Sequence, residues 1–70
     1  MSIKSLDTVA LRRDLPEHKL PAGLVGVVVE EWRAGVFEVE FADLDGRPYA
    51  FAAIAEEDLL LLQHSLDRAA

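Results

Sequence analysis

Val36-Phe37-Glu38-Val39-Glu40-Phe41-Ala42-Asp43 is the stretch that decides the fold. Phe37, Val39 and Phe41 alternate with Glu38 and Glu40, so an extended chain puts bulky apolar groups on one face and carboxylates on the other. This is a strand with one dry face and one wet face. Outward from it, Pro16, Pro21, Gly23, Gly26, Gly35, Gly46 and Pro48 punctuate the chain and leave no room between Gly26 and Pro48 for a capped three-turn helix. The pieces between them are rich in Val and Phe, which predicts five strands over residues 7–13, 24–32, 36–43, 47–54 and 58–62. A long loop over residues 14–23 carries two prolines and has space for one tight helical turn at 17–20.

Arg33-Ala34-Gly35 and Asp43-Leu44-Asp45-Gly46 are links too short for a parallel crossover, and each supplies glycine where a positive φ is wanted. The strands therefore run antiparallel. A short-looped meander with one long loop after its first strand is the layout of a small, mainly β, five-stranded SH3-like barrel. Residues 1–5 are expected to be a flexible N-terminus, 6–62 the barrel domain and 63–70 a C-terminal tail or short helix.

Two strands are apolar on both faces. In the fourth, Tyr49, Phe51 and Ala53 alternate with Ala50, Ala52 and Ile54; in the second, Val25, Val27 and Val29 alternate with Gly26, Val28 and Trp32. Taking the larger side chains inward gives an interior of Val9, Leu11, Val28, Phe37, Val39, Phe41, Tyr49 and Phe51. Ala50, Ala52 and Ile54 are then left outside, along with the run Leu59-Leu60-Leu61-Leu62. Strands apolar on both sides are usually covered on both sides, which leads to an expected homodimer through Ala50, Ala52, Ile54, Leu60 and Leu62. The leucine run has no period. Either a strand at 58–62 closes the barrel, or a helix over 56–68 places acids in its first turn and a base in its last.

The chain has 70 residues, with 7 basic against 13 acidic side chains, a formal charge of −6 and no cysteine. For so small a domain, core burial and the entropy of ordering nearly cancel, and neither a disulfide nor a thiolate zinc site is available to tip the balance. The acidity disfavours a nucleic-acid partner, whose affinity would come from lysine and arginine displacing counterions. It suits a basic protein partner instead. No apolar run is long enough for a signal peptide or a membrane span, so a cytoplasmic location without membrane contact is expected.

No enzyme is expected. Ser2, Ser5, Thr8 and Ser65 lie near the chain ends without a base in a recognisable arrangement, and there is no nucleophile elbow, phosphate loop or dinucleotide fingerprint. Asp43-x-Asp45-Gly46 has the start of a calcium loop but Arg47 at the next ligand position, so it reads as a turn. His18 and His64 lack partners at metal spacing. Neither metal nor cofactor is expected. Trp32 is the best single contact residue if it faces outward; the bland alternative is partial burial against a neighbouring strand.

The stretches Leu6-Asp7-Thr8-Val9, Asp14-Leu15-Pro16-Glu17-His18-Lys19-Leu20, Gly23-x-x-Gly26-x-Val28-Val29-Glu30 and Phe37-Glu38-Val39-Glu40-Phe41-x-Asp43-x-Asp45-Gly46 resemble an uncharacterised bacterial family, domain of unknown function 4926. The resemblance runs from Leu6 to Leu62. This chain has Phe37 where that family commonly has tyrosine, and Val27 where threonine is common. The resemblance implies a small SH3-like protein with no assigned activity, and a role as partner of a neighbouring protein in the manner of antitoxin or immunity proteins. More distantly, Gly23-x-x-Gly26-x-Val28 is similar to the glycine-valine pattern of KOW-type barrels, which bind RNA through basic loops.

Two functions are thus expected as alternatives. The first is a non-catalytic, self-associating interaction module that meets a basic protein through Glu30, Glu31, Trp32, Glu38 and Glu40. The second is a KOW-type RNA-binding barrel using Arg12, Arg13, Lys19 and Arg33.

Overall fold

The computed structural model describes residues 3–42, 45 and 47–62, with the side chains of Pro48 and Tyr49 outside that description. Five strands follow one another: β1 (Thr8–Leu11), β2 (Val25–Arg33), β3 (Val36–Ala42), β4 (Pro48–Ala55) and β5 (Leu59–Leu61). They form one sheet in the order β4-β3-β2-β1-β5, with every neighbouring pair antiparallel. The chain is mainly β, and β5 returns to lie beside β1, as a barrel-like fold requires. No α-helix occurs among the described residues. At the ambiguous C-terminal segment, Glu56–Asp58 makes a single 3-10 turn and the chain then extends as β5. Leu59 is thereby buried in the core. The expected tail at 63–70 and most of the turn expected at 43–46 lie outside the described residues.

The long loop after β1 is fastened to the core at both shoulders. Leu15 and Leu20 are buried and exchange backbone hydrogen bonds, the Leu15 N–H donating to the Leu20 carbonyl at 2.7 Å and the reverse bond spanning 3.2 Å. Between them Pro16–His18 forms a 3-10 turn, with proline at a position where its missing N–H costs nothing. Of the residues 1–5 expected to be flexible, 1 and 2 lie outside the described residues, and the chain is held from residue 3 onward. Ile3 is buried in the core cluster, and the Leu6 N–H donates to the Val28 carbonyl at 2.7 Å. Small barrels recruit flanking apolar residues because their own strands enclose so little volume.

Of the interior expected from alternation, Val9, Leu11, Val28, Phe37, Val39 and Phe41 are buried. The fourth strand is turned over relative to expectation. Phe51 is 58% exposed, while Ala52 and Ile54 are 6% and 2% exposed. Register explains the reversal: Phe37 pairs with Ile54, Val39 with Ala52 and Phe41 with Ala50, and directly paired residues share a face. Two phenylalanines from β3 already fill this side, and β4 meets them with Ile54 opposite Phe37 and with the small Ala52 and Ala50 beyond it. Because both faces of β4 are apolar, alternation gives no contrast between a register and its one-residue slip. The Tyr49 side chain, expected inside, lies outside the description.

Candidate functional site

Turning β4 over changes the outer face of the sheet. The partners of Glu40 across the strands are Val27 and Phe51, and those of Glu38 are Glu30 and Ala53. All six side chains stand on the side away from the core, Phe51, Val27 and Glu30 being exposed. Three carboxylates, Glu30, Glu38 and Glu40, are thus embedded in an apolar surround. Glu30 stands directly opposite Glu38. Among the described residues no cation pairs with any of the three, and the described salt bridge joins Arg13 to Asp58 elsewhere.

Trp32 joins this face through two irregularities in β2. Register shifts fall between Val28 and Glu30 and between Glu31 and Arg33, each adding one residue on β2 against β3. Strict alternation would carry Trp32 inward with Val28; the first bulge brings Glu30 outward and the second keeps Trp32 there. Trp32 is 60% exposed, and its indole Nε1–H donates to Glu38 Oε1 at 2.9 Å. That hydrogen bond orients the indole and leaves the second oxygen of Glu38 free of described partners. Beside it, His18 from the long loop, Trp32, Glu38, Phe51, Ala52 and Ala53 line a groove of about 200 Å³.

Four of the five residues expected to form a partner surface, Glu30, Trp32, Glu38 and Glu40, are brought to one face. Glu31 is not. It stands opposite the buried Phe37, and its Oε2 accepts the Gly35 N–H at 3.3 Å, which serves the hairpin turn where Gly35 has φ 80°. Phe51, Val27 and His18 were missed. The signal that would have found Phe51 is the β3–β4 register, which alternation along a strand apolar on both faces does not set.

The expected self-association surface is corrected. Ala52 and Ile54 are core residues, and Ala50 packs against the core. Leu60 is exposed and Leu62 half-buried, on the opposite edge of the sheet from β4. Of the basic residues considered for RNA, Arg12 and Arg13 are engaged within the fold. The Arg12 Nε–H donates to the Leu59 carbonyl at 3.0 Å, and Arg13 meets both Asp58 oxygens, at 2.8 and 3.1 Å. The Asp58 hydrogen bond, and then its charge, hold the Arg13 guanidinium above its usual pKa. Among the described residues no group of three potential metal-ligating side chains gathers, and no helix is long and apolar enough to cross a membrane.

The family model described as domain of unknown function (DUF4926) matches residues 5–61. The chain belongs to that family. No curated protein and no solved structure matches it significantly.

Proposed function

For this member of the family we propose a non-catalytic interaction module that takes a basic protein segment on the outer face of β2, β3 and β4. The observation that carries the reading is the direct opposition of Glu30 and Glu38. Like charges at opposed positions of an antiparallel pair are destabilising. In a domain whose core is this small, such a pair needs a reason, and Glu40 two residues along the same face repeats the sign. A lysine or arginine laid across these carboxylates relieves the repulsion. Trp32 and Phe51 beside them offer ring faces for the same cation and for its aliphatic stem. A net charge of −6 speeds encounter with a cationic target. The inhibitor-like role implied by the sequence resemblance would act here by occlusion, covering a basic surface of the partner.

Trp32 is the single tryptophan of the chain, so its emission reports directly on this face. The test is a fluorescence titration with a synthetic decapeptide alternating lysine and threonine, and with its glutamate counterpart. The lysine peptide is expected to change Trp32 emission saturably, with an affinity that falls as salt rises. Equal responses to the two peptides, or no response to either, would refute the reading.

A further inference from the structure

Among the described residues β4 is an edge strand, hydrogen-bonded to β3 alone. The phase of its ladder is set by the Glu56 N–H, which donates to the Gly35 carbonyl at 2.8 Å and makes that pair a bonded one. Bonded and non-bonded pairs alternate along an antiparallel ladder. Stepping along the register, the backbone groups of Ile54, Ala52 and Ala50 point at β3, and those of Phe51, Ala53 and Ala55 point away from the sheet. Among the described residues, nothing receives the outward-pointing groups.

Natural sheets blunt such edges with charge, proline, bulges or brevity. The other edge, β5, is three residues long and follows Glu56, Glu57 and Asp58. β4 is eight residues long, has proline only at its first position, and carries no charged residue from Tyr49 to Ala55. Its free edge borders the groove lined by His18, Trp32, Glu38 and Phe51.

We infer that the partner segment adds to the sheet as a sixth strand along β4, extended, with lysine or arginine at alternate positions. This rests on the basic-segment reading above and adds its mode of recognition. Backbone bonds to Phe51, Ala53 and Ala55 supply the pairing, and the outer face supplies the sequence preference. A residue opposite Ala53 faces Glu38 across a single methyl group, two interstrand spacings or about 9.6 Å away, a span a long cationic side chain covers. Two residues along, the position opposite Phe51 lies over an aromatic ring next to Glu40. Carboxylates at these alternate positions select a Lys-x-Lys or Arg-x-Arg spacing. A second copy of the chain would instead bring −6 against −6 and place no cation opposite either carboxylate.

The test uses the full chain and the lysine-threonine decapeptide. Amide hydrogen exchange is followed by NMR at Phe51, Ala53 and Ala55, and the titration is repeated with two peptides N-methylated on alternate residues in opposite phase. Expected are slowed exchange at those three amides and a loss of about tenfold in affinity for one methylated peptide but not the other. Ala53→Pro, which removes an outward N–H and leaves the β3 ladder intact, should weaken binding similarly with an unchanged unfolding midpoint. Should that variant not fold, the methylated peptides decide the question on the unaltered chain. Salt-sensitive binding with no protection at the three amides and equal affinity for both methylated peptides would overturn strand addition while leaving the acidic-face reading standing. Absence of any binding would overturn both. Protection that grows with protein concentration in the absence of peptide would identify a second copy as the occupant and overturn the inference.

Discussion

Gly26 on β2 and Phe41 on β3 stand opposite each other so closely that a Cβ on Gly26 would lie 2.7 Å from Phe41 Cδ1 and 2.8 Å from the Glu40 carbonyl oxygen. Phe41 is fully buried and the second obstacle is backbone, so neither yields easily. Gly26→Ala is therefore an overpacking substitution, expected to cost about 1–3 kcal/mol. Urea unfolding checks it through a lower midpoint at unchanged slope.

The reversed face of β4 makes a paired prediction. Ile54→Ala removes a core side chain packed beside its cross-strand partner Phe37 and should cost about 2–5 kcal/mol. Phe51→Ala removes an exposed ring and should cost about 0.5 kcal/mol or less. Had the larger residue faced inward, the two costs would be exchanged, so unfolding midpoints of the two variants measure the register.

The legible and illegible parts of this fold differ for a physical reason. β3 was readable because its faces differ in polarity, so Phe37, Val39 and Phe41 could have only one destination. The short links fixed the antiparallel meander, and the two-proline loop announced itself. β4 was readable as a strand but not as an oriented one, since apolar residues on both faces remove the contrast that orients it. Trp32 was ambiguous because a bulge changes the phase of alternation, and nothing in Val27-Val28-Val29-Glu30-Glu31-Trp32 marks one. Of the candidate site, Glu38 and Glu40 were legible from their alternation on β3; Phe51 was not, because its exposure follows from long-range register.

Ile3 is buried although it precedes the stretch 6–62 expected to form the barrel. Its side chain lies in the core cluster with Leu59 and Val9, so Ile3→Ala should lower stability by about 2 kcal/mol, toward the smaller end for a buried isoleucine. Thermal unfolding of the variant reads this as a lower Tm. A terminus free of the core would leave the Tm unchanged.

Glu30→Gln separates stability from function. Removing one member of the opposed pair should leave stability equal or raise it by about 0.2–1 kcal/mol. Chemical denaturation at low salt is the suitable measurement, because screening at high salt shrinks the repulsion and with it the gain.

The central claim is that Glu30, Glu38 and Glu40 form a binding face. Glutamine at Glu38 keeps an acceptor for the Trp32 indole and removes the charge, so E30Q/E38Q/E40Q alters electrostatics while sparing the geometry. The decisive measurement is the affinity of this variant for the lysine-threonine decapeptide, taken beside its urea midpoint. The account predicts an affinity lower by about tenfold or more, with a midpoint equal to or above that of the unaltered chain. An unchanged affinity, with the fold intact, would contradict it.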